Sequence, residues 1–161
     1  MTPRIEILPE KKLIGKSLEM SLVKNTTGIL WASFMSNKSD ITNAIGSDLY
    51  AMQIYSDLYY HKNFNPNTKF IKWAATEVTD IKNIPYGFES FILKEGLYAV
   101  FLHKGMASDF PKTIQFIFGE WLPKSGYDLD DRPHFELLGK NYKNDHPSSE
   151  EEVWIPVKKQ L

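Results

Sequence analysis

The sequence predicts an α+β fold, an antiparallel sheet with helices on one face. Three observations carry this. Segments with period-2 alternation outnumber segments with helical spacing. The connections between them are short and suit hairpins. The order strands–helix–strands occurs twice, in halves of about 80 residues. The chain has 161 residues, about one domain at roughly 150 residues each. It reads as one domain over residues 1–161, with halves at about 1–80 and 84–161.

Strands are expected at residues 3–8 and 12–23. In the second, Leu18, Met20 and Leu22 alternate with Ser17, Glu19 and Ser21, as in a half-buried strand. Asn25 and Thr26 are cap residues for a helix starting near Thr27. Its Leu30, Trp31, Phe34 and Met35 form one stripe. The polar run 36–40 ends it. Residues 49–55 alternate again, with Leu49, Ala51 and Gln53 set against Tyr50, Met52 and Ile54. A polar loop with Asn65-Pro66-Asn67 precedes a strand at 69–78, and Pro85 and Gly87 punctuate the middle.

The second half repeats the order. Strands are expected from Glu89 to Lys94 and from Tyr98 to Lys104. Ser108 or Asp109 caps a helix with Pro111 in its first turn, where proline is tolerated. Phe110, Ile114, Ile117, Phe118 and Trp121 give it an apolar face, Pro123 stops it, and Gly126 follows. His134–Leu138 and Glu152–Lys158 complete the strands.

Composition removes several function classes. The 19 basic and 20 acidic residues leave a net charge of −1, without the basic footprint of a nucleic-acid coat. No apolar run approaches the ~20 residues that span a bilayer. There is no Cys, which excludes disulfides and thiolate chemistry. No secretion signal opens the chain, so a cytoplasmic location is expected, and two Asn-x-Ser/Thr sequons count as chance. The aromatics stand out: 10 Phe, 8 Tyr and 4 Trp, 14 % of the residues. More rings than a small core needs is one reason to expect a ring-lined binding surface.

Most motif searches end in ordinary structure. Gly15-Lys16-Ser17 looks like the end of a phosphate loop, but position 10 is Glu where the pattern needs Gly. His61, His103, His134 and His146 have no ligand spacing, so no metal is expected. His103 falls on a strand and His61 in a polar loop. No nucleophile elbow is present. The acidic groups at 128–131 and 150–152 read as solvated loops and strand entries. One combination remains, a carboxylate among rings. Glu136 stands in the apolar strand Phe135-Glu136-Leu137-Leu138, sharing a face with Leu138. Turned inward it is a buried anion, costly unless paired or protonated. On composition alone, the plainer reading is the polar face of an edge strand.

Several stretches together resemble the GyrI-like small-molecule-binding domain, the effector-binding domain of AraC-type and multidrug-responsive regulators. They are Pro85-Tyr86-Gly87-Phe88, Gly96 to Gly105, Trp121-Leu122-Pro123-Lys124-Ser125-Gly126-Tyr127, Phe135-Glu136, Asp145 to Glu150 and Val153-Trp154-Ile155-Pro156-Val157. Leu30-Trp31 and Trp73 to Val78 add the first half. The resemblance implies duplicated strand–helix–strand–strand units, forming a curved antiparallel sheet with two main helices on one face. It implies a ligand groove between the halves, with Glu136 at its base and Tyr98, Trp73 and Trp121 as walls. Three positions depart from the family pattern: Leu137-Leu138-Gly139 where Tyr is frequent, Ala75 for Gly, and Lys94-Glu95 for Pro.

The function expected is therefore a stand-alone binding protein for cationic, aromatic, drug-like molecules, a transcription-related effector sensor or a multidrug-binding protein. Rings supply cation–π attraction and Glu136 the opposite charge. No cofactor, membrane or direct DNA contact is expected; regulation would run through a protein partner. A second reading is a hydrolase of strained electrophiles, with Glu136 as general base and Tyr98 as hydrogen-bond donor. A third, from the family name, is an interaction protein that inhibits gyrase.

Overall fold

The computed structural model describes residues 1–56 and 60–161. The elements are β1 (Arg4–Leu8), β2 (Lys11–Met20), α1 (Thr27–Asn37), β3 (Ala44–Ile54), the helical turn α2 (Tyr60–Asn63), β4 (Phe70–Val78), β5 (Glu89–Leu93) and β6 (Gly96–Lys104). Then follow α3 (Phe110–Phe116), a π-helical turn (Ile117–Trp121), α4 (Leu122–Lys124), β7 (Tyr127–Leu129), β8 (His134–Leu138) and β9 (Glu150–Lys159). All strand pairs are antiparallel, in the order β1-β6-β9-β8-β3-β4-β2-β5, with β7 on the end of β9. β3 and β8 meet at the centre, and each half extends outward from them.

The two connections that most resemble hairpins are not hairpins. β1 lies at one edge of the sheet and β2 beside the other, although only Pro9 and Glu10 separate them. β5 and β6 repeat the arrangement across Lys94 and Glu95. Each leading strand pairs with the other half: Leu8 opposite Gly96, and Lys11 opposite Leu93. A two-residue link spans at most about 11 Å, so both edges are drawn to one pole and the sheet curls.

The concave face buries itself. Leu8, Leu13, Leu93 and Tyr98 come from the strands at the two edges, yet share one cluster with Tyr50, Met52, Trp73, Phe135 and Trp154. Phe135 stacks on Trp154 with centroids 5.2 Å apart, and Tyr98 packs edgewise against Phe135 at 5.5 Å. The Tyr98 hydroxyl donates to Pro133 O at 2.8 Å, and the Arg132 guanidinium lies over its ring.

Both helices cover the convex face. Leu30 and Phe34 of α1 pack on Ile14, Met20, Phe70, Ala74 and Val78. Ile117 and Leu122 pack on Ala99, Phe101, Val153, Ile155 and Val157. The two layers share no residue. Among the described residues, no helix is long and apolar enough to cross a membrane.

Local differences from the sequence expectations have local causes. β2 ends at Met20, leaving Leu22 and Val23 exposed. β3 starts five residues early, as an exposed run that shifts register between Ala44 and Leu49. The polar loop expected after residue 55 contains α2, where His61 falls; its residues 57–59 lie outside the described residues. Pro123 does not stop the helix, which continues to Lys124. The preceding π turn is wider than an α turn, so the proline ring escapes the usual clash four residues back.

Gly15 and Gly28 need opposite explanations. A Cβ on Gly15 would overlap Ala74 O and the Ala75 side chain of β4, while one on Gly28 meets nothing within 4 Å. Gly15→Ala is therefore expected to lower stability by about 2 kcal/mol. Gly28→Ala is expected to raise it by about 0.5 kcal/mol through helix propensity. Urea midpoints check both; shifts of the same sign would contradict this packing.

Candidate functional site

The centre of the convex face lies between the two helix layers. α1 covers β2 and β4, and α3 with its π turn covers β6 and β9. Between them run β3 and β8, one from each half. Ala51 stands opposite Glu136 and Gln53 opposite His134. These four share the face that looks between the helices, because strand side chains alternate and their neighbours Met52 and Phe135 belong to the concave cluster. Alanine at 51 keeps the floor low beside Glu136.

Glu136 is held but not neutralised. Gln53 Nε2 donates to its Oε1 at 3.1 Å. Among the described residues, Oε2 accepts no hydrogen bond. Burial raises the Glu136 pKa to about 7. Lys72 opposes that rise, the charge of Glu151 adds to it, and the Gln53 hydrogen bond opposes it. A carboxylate in this state ionises readily when a cation arrives.

Three more polar groups flank it on the same face. Lys72 of β4 stands opposite Gln53, and its Nζ donates to Thr27 Oγ1 at 3.5 Å. Thr27 opens α1, whose first turn carries no acidic residue. On the other side Glu151 of β9 faces His103 of β6. His103 is buried, with Nδ1 2.7 Å from Thr113 Oγ1 on α3. Burial pushes the Glu151 carboxyl up, opposed by His103 and Lys72. The nearby Tyr142 phenol is raised as well, by burial and then by Glu151.

One end of the groove is aromatic. Tyr55 packs on His134 at 5.3 Å, on Phe70 at 5.6 Å and on Phe64 at 6.4 Å. Phe118 approaches His134 at 6.2 Å from the α3 side. Phe118 lies within the π turn, while Trp121 at its end packs against Phe101 at 5.1 Å and stacks on Tyr127. The widened turn thus divides the two rings, Phe118 toward the groove and Trp121 toward the outer flank. π turns recur at functional sites.

Of the four residues singled out in the sequence, only Glu136 lies in this groove. Tyr98 and Trp73 sit in the concave cluster beneath the sheet, on the face opposite Glu136. Trp121 belongs to the layer under α3. The structure does not bring the three rings together around the carboxylate. Gln53, Lys72, Glu151, Tyr55 and Phe118 stand with Glu136 in this candidate site, and the sequence does not single them out. Gln53 carried a readable signal, a polar residue on an otherwise apolar alternating strand. The others depend on strand pairing.

Residues 1–158 match the model of the GyrI-like small molecule binding domain. Among curated proteins, the chain is 25 % identical over 162 residues to the transcriptional regulator BrlR of Pseudomonas aeruginosa, covering 98 % of this chain and 56 % of that one. The chain thus spans little more than half the length of that regulator. It is 39 % identical over 108 residues to a DNA gyrase inhibitor of Erwinia billingiae, covering 60 % of this chain and 67 % of that protein. Among solved structures, SAV2435 bound to tetraphenylphosphonium superposes with a TM-score of 0.75 at 15 % identity, over 98 % of this chain and 94 % of that one. At that identity the likeness concerns the fold. With a family model matched along nearly its whole length, a curled sheet built from two exchanged halves and an acidic groove between its helices, the chain belongs to the GyrI-like small-molecule-binding domains.

Proposed function

We propose that the groove between α1 and α3 binds amphipathic aromatic cations, with Glu136 as counter-ion. One observation carries this reading: Gln53 fixes one oxygen of the buried Glu136 carboxylate, and among the described residues the other oxygen has no hydrogen bond and the group no ion pair. The rings of Tyr55, Phe64 and Phe118 supply apolar area and cation–π attraction of about 0.5–2 kcal/mol each. The similar fold bound to tetraphenylphosphonium supports the choice of ligand class. Tyr98 and Trp73 act from beneath, holding the strands that carry Glu136.

A second reading follows from the Glu136 pKa of about 7. That value suits a general base near neutral pH, which keeps hydrolysis of an electrophilic ligand in view. Tyr98 does not fit the donor role there, since its hydroxyl is given to Pro133 O on the other face.

Calorimetry with tetraphenylphosphonium at pH 8 tests the first reading. Glu136→Gln is expected to weaken binding about tenfold, or 1.4 kcal/mol. Wild-type affinity is expected to fall toward that of the variant as pH drops below about 7. Equal affinity in both proteins removes Glu136 as counter-ion. Mass spectrometry of an epoxide incubated with wild type addresses the second reading; fully intact epoxide ends it.

The same carboxylate predicts a stability profile. The folded protein holds the Glu136 proton up to about 7, against an ordinary value of 4.5. The folded state therefore binds more protons than the unfolded chain in that window, and stability falls as pH rises through it. The loss is expected to reach about 3 kcal/mol. Glu136→Gln flattens this part of the profile in urea titrations; two parallel profiles would show that Glu136 is not the group responsible.

A further inference from the structure

The groove floor holds two opposite charges that do not pair with each other. Lys72 stands opposite Gln53 across β3–β4, and Glu136 stands opposite Ala51 across β3–β8. Two strand spacings and two residues of rise separate their Cα atoms by about 12 Å. Both side chains point to the face between the helices. Among the described residues, Lys72 enters no ion pair, and its hydrogen bond is to Thr27 Oγ1. The Thr27 hydroxyl spends its own proton on Met20 Sδ at 3.4 Å, a weak acceptor. A second ligand group can therefore redirect it.

We propose that the preferred ligand of this groove is amphoteric, an aromatic molecule carrying a cationic nitrogen at one end and a carboxylate at the other. The nitrogen pairs with Glu136, and the carboxylate is held by Lys72 Nζ and Thr27 Oγ1. This rests on the reading of the groove as a cation site, and adds the group that a purely cationic ligand lacks. Such a ligand meets Lys72 only as a like charge, which disfavours it. An amphoteric ligand satisfies both charges, and its two groups must be spaced by roughly a two- or three-ring scaffold. Lys72 thereby becomes the specificity-determining residue of the site. The competing role for Lys72 is to tune the acidity of Glu136, which its charge does affect.

Rhodamine B and its ethyl ester separate these roles. The two dyes share one cationic ring system, and only rhodamine B carries a free carboxylate. Fluorescence anisotropy at pH 8.5 measures both against wild type, Lys72→Gln, Lys72→Arg and Glu136→Gln. Wild type is expected to bind rhodamine B more tightly than the ester. Lys72→Gln is expected to weaken rhodamine B about tenfold while leaving the ester bound as well as before or more tightly, with Lys72→Arg restoring most of the loss. Glu136→Gln weakens both dyes. An equal loss of both dyes in Lys72→Gln shows tuning alone and overturns the proposal. So does a rhodamine B affinity indifferent to Lys72, although the cation site then stands. Binding of neither dye to wild type removes the cation site and this proposal together.

Discussion

Two links of two residues each, Pro9–Glu10 and Lys94–Glu95, tie opposite edges of the sheet together. Each leading strand crosses to pair with the other half, so the edges cannot spread. The curl that follows encloses one face and presents the other outward. The enclosed face fills with rings and needs no helix. The outward face is left to α1 and α3, and each helix follows its own half. The central β3–β8 pair lies between the two helix layers, so the groove is a consequence of the strand exchange.

What occupies that groove floor is electrostatically unfinished. Among the described residues Glu136 receives one neutral hydrogen bond and no ion pair, and the charge of Glu151 raises its proton affinity further. Lys72 offsets both carboxylates from a distance without contacting either. Burying an unpaired carboxylate is costly, and a well-packed apolar residue at 136 would stabilise the fold. The arrangement makes sense where a ligand completes it.

The aromatic richness is explained mostly by packing. Tyr50, Trp73, Tyr98, Phe135 and Trp154 fill the concave cluster. Phe34, Phe70 and Phe88 belong to the layer under α1, and Phe101 to the layer under α3, where Trp121 packs as well. A curled sheet has a tapering interior, and large flat side chains that stack at 5–6 Å fill it without a third layer. Tyr55 and Phe64, packed against the layer under α1, and Phe118, packed against the layer under α3, meet at one end of the groove, two of them beside His134. The ring count pointed to a ring-lined site, but most of the described rings are shared between the concave cluster and the two layers under the helices.

Local alternation is enough to say which residues share a face. Alternation set Leu49, Ala51 and Gln53 apart from Tyr50, Met52 and Ile54, and set Glu136 apart from Phe135. Those assignments follow from backbone geometry, which depends only on near neighbours. The sequence also marked the two helices, the duplicated order and the resemblance that singled out Glu136. Which face the curl encloses and which is left to the helices depends on long-range strand pairing. That choice placed Tyr98 and Trp73 behind Glu136 instead of beside it. It also placed Lys72 and Glu151, distant in sequence, on the same floor. The physical reason is that enclosure depends on pairing between strands far apart in the chain. No local pattern reports that β1 passes β2 to pair with β6, or that a π turn separates Phe118 from Trp121.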